Sequence, residues 1–320
     1  MQLAASKARP GGPPETRRGL PFKINRRKLT ETLTAYTFLA PYLFVLIVFT
    51  LIAVVTALTL SFFYVDFGFT TPIFYGFRNY LNIWYDLTHD GDFAVGLRNS
   101  VEYTIGVVTL QTILALFLAL LLNQKVRGRG FFRTIFYLPA MTSSVAISLI
   151  FYWLYQPQGG INYVLSLLHI QGPAWLENPS TALPAIMLLN IWTTAPTFML
   201  MYLAALQDIP PTLYEAARVD GANSWQMLWK ITVPLLRPTT FAVVALGSIG
   251  AFQIFDQAFV MEGANGSPLR STLTAAMVIY DTAFQKSLMG LACAQAFVLF
   301  IIIFAVTLLQ KRYIDVNIQY

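Results

Sequence analysis

The sequence predicts an all-α polytopic membrane protein with six transmembrane helices. Composition is the first reason: 56% of the 320 residues are hydrophobic and only 11% are charged. A soluble domain carries about 25% charged residues, and charge is rare where lipid is the solvent. The second reason is six apolar runs near the length of about 20 residues that crosses a bilayer. The third is an alternation of basic residues. Seventeen of the 21 lysines and arginines fall in alternate polar stretches on one side, and four on the other.

Residues 1–34 read as a cytoplasmic N-terminal tail. They contain RPGGPPETRRG, too rich in proline and glycine for a stable helix. Eight basic residues, Lys7 to Lys28, precede the first span, Phe38 to Phe63. That run is too long for a signal-peptide core. The external stretch after it carries Tyr75, Phe77, Tyr80, Trp84 and Tyr85, aromatics that suit the membrane interface or a partner. The second span runs from Val101 to Leu122. The third, Ile135 to Trp153, holds Pro139, Thr142, Ser143 and Ser144, and is expected to be irregular near its start. Ala182 to Leu206, Phe241 to Met261 and Leu288 to Leu309 complete the set. The transmembrane domain is thus 35–312, with a short C-terminal tail, 313–320. The positive-inside rule places both termini in the cytoplasm.

The element that a plain loop does not explain is EAARVDGANSWQMLWKITVPLLRP, within 208–238 on the cytoplasmic side. Pro210 and Pro211 favour a helix start. Thr212 and Glu215 have the spacing of a capping box, which predicts a short helix from Leu213 to Asp220. Gly221 is placed to close it in a left-handed conformation. Asn223 or Ser224 can cap a second helix. From physics alone this knob either docks in a partner's groove or rests on its own bundle.

Two spans carry polar faces. Asn190, Thr194 and Thr197 share one helical face of the fourth, and Gln253, Asp256 and Gln257 one face of the fifth, beside Phe252. Hydroxyls, amides and a carboxylate near an aromatic ring suit sugar hydroxyls. The same groups also serve as glue between helices.

The spacing Glu215-Ala216-Ala217, Gly221, Ile231, Pro234 resembles the EAA loop of permease subunits of bacterial binding-protein-dependent ABC importers. Val233 stands where that family usually has leucine. LNQKVRGRGFFRTIFYLP and ALQDIPPTLYEAA extend the likeness to the carbohydrate type, similar to maltose-transporter F-type and glycerol-3-phosphate-transporter A-type subunits. The resemblance implies an inner-membrane permease for a sugar or polyol. It implies a second homologous permease, two copies of a cytoplasmic ATPase that carries ATP and Mg, and an extracytoplasmic solute-binding protein. Glu215, Ala216, Ala217, Arg218, Asp220 and Gly221 would then couple to the ATPase. Asn190, Thr194, Thr197, Phe252, Gln253 and Asp256 would line the substrate path. Thr194 and Thr197 replace a glycine and a tyrosine of the maltose transporter, which argues against maltose itself.

No enzyme chemistry or cofactor is expected on this chain. It lacks GxxxxGK[ST], has one cysteine, and its two histidines, His89 and His169, lie far apart. Metal ligation is not expected either. The alternative functions are a secondary transporter driven by an ion gradient, or a non-transporting membrane scaffold.

Overall fold

The structure, a computed structural model, describes residues 26–66, 68, 72–124 and 128–314. Residues 1–25 of the expected tail, and 315–320, lie outside the described residues. One unit ends at Val55 and a second begins at Thr56.

In the first unit, helix α1 (Arg26–Val45) leads into a π-turn at Leu46–Leu51 and on into α2 (Ile52–Leu60), which reaches the second unit. Thr32–Leu60 is long and apolar enough to cross a membrane. Pro41 lies inside α1, where it removes one helical hydrogen bond.

The second unit then has a two-residue ladder, β1 (Phe63–Tyr64) with β2 (Ile73–Phe74), and helix α3 (Arg78–Thr88). Buried Asn79 pins α3, its Nδ2 donating to the carbonyls of Ser61 (2.9 Å) and Phe63 (3.0 Å). The exposed rings of Trp84 and Tyr85 project from the same helix. Helix α4 (Asp92–Asn123) follows. The Asp86 carboxylate accepts from the Phe93 and Ala94 amides at its start, satisfying donors that have no partner within the helix.

The third apolar run is irregular near its start, as expected, and is not one straight helix. It forms α5 (Arg129–Tyr137), a 3-10 turn at Leu138–Met141, and α6 (Ser144–Leu154). The two parts are bent by 93°. Thr142 (ψ 144°) and Ser143 (ψ 133°) are both extended, and that pair breaks the helix. Pro139 itself fits the turn. The described chain therefore has five helices long and apolar enough to cross, or six if the bent pair is one span. Short α7 (Gly160–Leu167) precedes α8 (Pro179–Asp208). Asn178 caps α8, accepting from the Ser180 amide at 3.0 Å, and Pro179 takes the first position, where its missing N–H costs nothing.

Next come α9 (Pro211–Val219), α10 (Ser224–Met227), a π-turn at Leu228–Thr232, α11 (Val233–Leu235) and α12 (Arg237–Phe252). The fifth apolar run is then interrupted, resuming as α13 (Asp256–Glu262). Helix α14 (Ala275–Tyr280), a π-turn at Asp281–Gln285 and α15 (Met289–Ile314) close the chain.

Helix α4 packs along α8, and α12 packs on both α4 and α15. Between lipid-embedded helices the hydrophobic effect supplies little attraction, so close backbone approach matters. Ala115, Ala119 and Ala195, all fully buried, provide it, with Met199 and Tyr202 filling the layer below. Ile105, Ile113 and Phe117 of α4, and Phe300, Phe304 and Leu308 of α15, point outward, as lipid or a second subunit requires.

Candidate functional site

One cleft of about 260 Å³ gathers much of the membrane-embedded polarity. Asn190 and Thr194 reach it from α8, Gln253, Asp256 and Gln257 from the α12–α13 region, and Ser144 from the start of α6. Of the six path candidates the cleft includes Asn190, Thr194, Gln253 and Asp256. Thr197 is exposed and does not line it; Phe198 does. Phe252 is 3% exposed and packs in the core, while Phe255 supplies the ring at the wall.

The polar face of the fifth run is not a continuous helical face. Helix α12 ends at Phe252, Gln253 (φ −98°, ψ 14°) leaves it, and Phe255 (φ −136°, ψ −62°) precedes the restart at Asp256. The break turns Gln253 and Asp256 toward one space. A broken helix in a membrane needs new partners for its freed backbone groups. Thr274 Oγ1 donates to the Ile254 carbonyl at 2.9 Å. The loop bearing Thr274 is in turn tied to α4. Asn99 Nδ2 donates to the carbonyls of Arg270 (2.8 Å) and Leu273 (2.9 Å), and Ser100 Oγ accepts from the Ala275 amide.

Gln111 is a lining residue that the sequence did not single out. It sits in the middle of α4, 1% exposed. Thr194 Oγ1 donates to its Oε1 at 2.7 Å and is 2.8 Å from the Asn190 carbonyl. The Gln111 Nε2 is buried with no hydrogen-bond partner. Gly247 makes room for this amide, because a Cβ there would collide with Nε2. A lone amide inside an apolar run was the available signal.

In the 208–238 segment, α9 begins two residues earlier than Thr212 predicted, and the expected Thr212–Glu215 capping box is absent. Pro210 is the N-cap and makes no side-chain cap bond. Proline at 211 drives Pro210 to extended backbone, so Thr212 falls within the first turn and Glu215 within the second. The close of α9 matches expectation. Gly221 is left-handed (φ +79°). The Gly221 amide donates to the Arg218 carbonyl (3.1 Å) and the Ala222 amide to that of Ala217 (2.9 Å), the paired bonds of a Schellman close. Asn223 takes the second cap: its Oδ1 accepts from the Gln226 amide (2.8 Å) while Gln226 Oε1 accepts from the Asn223 amide (2.9 Å). Glu215, Ala216, Arg218, Asp220 and Gly221 are exposed, and Ala217 is half-buried. Trp225 and Trp229 present exposed rings edge to face at 5.6 Å.

Residues 111–315 match the binding-protein-dependent transport system inner membrane component family. The chain belongs to this family. The permease is 34% identical over 289 residues to the probable ABC transporter permease protein YesP of Bacillus subtilis, covering 90% of this chain and 92% of YesP. It is 34% identical over 253 residues to the lactose transport system permease protein LacF of Rhizobium radiobacter, covering 78% and 83%. In fold it is similar to a chain of a bacterial alginate ABC transporter in complex with a pentasaccharide-bound periplasmic protein, with a TM-score of 0.74 at 22% identity over 90% of this chain and 96% of that one. It is therefore a membrane permease subunit of a carbohydrate-type ABC importer, a transport subunit and not a catalytic enzyme. The alternatives of a secondary transporter and of a scaffold give way to this membership. Among the described residues, no group of three or more His, Cys, Asp or Glu side chains could hold a metal ion.

Proposed function

We propose that this permease forms one half of the translocation pathway for a sugar or related polyol, and that Asn190, Thr194, Gln253 and Asp256 contact the solute in the cleft. The observation that carries this is their convergence, from helices far apart in sequence, on one space of about 260 Å³. Amides and a hydroxyl offer donors and acceptors, a carboxylate accepts, and the Phe255 ring covers an apolar sugar face. Phe252, buried in the core, and exposed Thr197 lie outside this cleft. The relative named for lactose transport supports the carbohydrate class.

On this proposal the 208–238 segment couples to a separate ATPase through Glu215, Ala216, Ala217, Arg218, Asp220 and Gly221. A second homologous permease completes the pathway, two ATPase copies hold ATP and Mg below, and a solute-binding protein delivers solute from outside. ATP-driven closure opens the outer side, and hydrolysis returns the cleft to the cytoplasm. The solute must bind the two states differently for vectorial transport. Membrane orientation follows the basic residues, with both termini cytoplasmic.

Uptake kinetics of Asn190→Ala and Gln253→Ala for lactose, maltose, trehalose and sorbitol test the cleft. Unchanged kinetics for every transported solute would remove the assignment. For orientation, single cysteines on a Cys293→Ser background should react with an impermeant reagent from outside at Ser166 and Asn265, and not at Ser224. Outside labelling at Ser224 would invert the topology.

A further inference from the structure

Helices α6 and α13 pack against each other and carry two separate spaces. Their N-terminal ends, Ser144 and Asp256, border the cleft. Their far ends border a second recess of about 420 Å³, lined by Tyr152 of α6 with Tyr155 and Gln156 just beyond it, and by Glu262 at the end of α13 with Ser267 beyond it, with Trp175 from the loop before α8. At 1.5 Å per residue, Asp256 and Glu262 are about 9 Å apart along α13. One helix pair thus joins the two spaces end to end.

The recess is prepared for a ligand in two ways. Its rings are fixed: Tyr155 donates its hydroxyl to the Ala185 carbonyl (2.9 Å), Trp175 Nε1 donates to Asn162 Oδ1 (2.8 Å), and the two rings meet at 5.7 Å. They offer a rigid apolar surface whose polar atoms are already engaged. Glu262 differs, because its Oε1 is buried without a hydrogen-bond partner. A buried acceptor left unmade is costly, and a hydroxyl donor from a ligand would satisfy it. Fixed rings beside an unmet carboxylate acceptor match the apolar face and hydroxyl edge of a pyranose or polyol.

We propose that this recess is an outer staging site, which holds the transported sugar or polyol on α6 and α13 before it passes to the cleft. The ligand class rests on the carbohydrate function proposed above; the site itself rests on the recess.

Cysteine protection in membrane vesicles holding the full chain separates the two. On a Cys293→Ser background, Ser267→Cys reports the recess, and Leu246→Cys, exposed at the cleft wall, reports the cleft. Both are modified with the small permeant reagent methyl methanethiosulfonate, with lactose, maltose, trehalose, sorbitol or spermidine present. The expected result is sugar or polyol protection at position 267, with Glu262→Gln or Glu262→Ala raising the half-protecting concentration about tenfold or more there and leaving protection at 246 unchanged. Protection at 246 alone overturns the staging site and keeps the cleft. Protection at 267 alone keeps the staging site and overturns the cleft. Protection at 267 by spermidine and by no sugar or polyol overturns the staging site in favour of a cation, and protection at neither position overturns both. Sugar protection at 267 that is indifferent to both Glu262 variants overturns the assignment of that carboxylate.

Discussion

The bonds that shape the 208–238 segment are local, and those that shape the cleft are not. Asn223 and Gln226 cap each other three positions apart, and the farthest link within the segment, Tyr214 Oη to Thr232 Oγ1 at 3.0 Å, spans 18 positions. The cleft depends on Thr194 meeting Gln111 across 83 positions, and its supporting loop on Asn99 meeting Leu273 across 174. A locally specified element tolerates changes elsewhere in the bundle. A cleft assembled from four distant pieces fails when any one of them shifts. Variants in the two regions should therefore fail differently.

The largest effect is expected from Gly221→Pro. Proline fixes φ near −65° where the backbone needs +79°, so the segment cannot close. Membrane insertion should persist while ATPase co-purification and uptake are lost. Retained coupling in this variant would break the coupling assignment. Next is Gly247→Val, whose side chain meets the Gln111 amide and distorts the cleft from within. Uptake should fall by at least about tenfold, at a cost typical of overpacking, about 1–3 kcal/mol, with ATPase co-purification intact. Loss of co-purification instead would show that the two regions are not separable. Gln253→Ala and Asn190→Ala come third. Leaving a solute hydroxyl unpaired costs about 1–3 kcal/mol, up to roughly a hundredfold in apparent affinity.

Glu215 offers a finer discrimination. It makes no cap in the structure, so Glu215→Gln and Glu215→Ala should weaken ATPase association alike, by a deficit relative to the wild type that shrinks as salt rises, since the exposed charge they remove is screened. A much more severe alanine variant would point to a helix-forming role that the geometry does not provide. The smallest effect belongs to the charge cluster of Asp92, Arg270, Asp281 and Lys286. Lys286 contacts Asp281 at 2.8 Å and Asp92 at 3.5 Å, and Arg270 contacts Asp92 at 3.1 Å. The hydrogen bond to Asp281, helped by both carboxylates, raises the Lys286 ammonium above its usual range. A raised folded value means that the stabilisation is complete below the ordinary lysine value of about 10.4 and is lost as pH rises through the folded value. With about half the side chain exposed, Lys286→Met should lower stability by at most about 1 kcal/mol. That deficit should stay constant between about pH 6 and 9 and shrink only in strong alkali, as thermal melts in detergent would show.

The same contrast explains what the sequence made legible. Gly221 was readable because a turn of left-handed backbone acts through neighbours, and the second cap was narrowed to Asn223 or Ser224, of which the reciprocal bonds with Gln226 select Asn223. The Thr212 cap misled because Pro211 had already fixed where α9 begins. Asn190 and Thr194 followed from helical spacing in α8. The grouping of Gln253 with Asp256 was also legible, although the cause was a break and not a shared helical face. Gln111 was not found, because one amide in a long apolar run shows no partner until α8 lies beside it. The 93° bend was foreshadowed by Pro139, yet its hinge is the extended pair Thr142–Ser143, where tertiary contacts decide.

The cross-links at the base of the 208–238 segment have a mechanical consequence. Tyr214 pins α9 to the turn at Thr232, and Tyr202 donates to Thr240 at 3.1 Å, joining α8 to α12 farther up. With its caps closed internally, the tip keeps its shape when pushed sideways. Both legs of the segment are thus fastened by side-chain hydrogen bonds, and on the coupling proposal a displacement applied at Val219 would reach α8 and α12 together. From Thr240, thirteen residues of rise, about 20 Å, carry that motion along α12 to Gln253, where the helix is already interrupted and yields first.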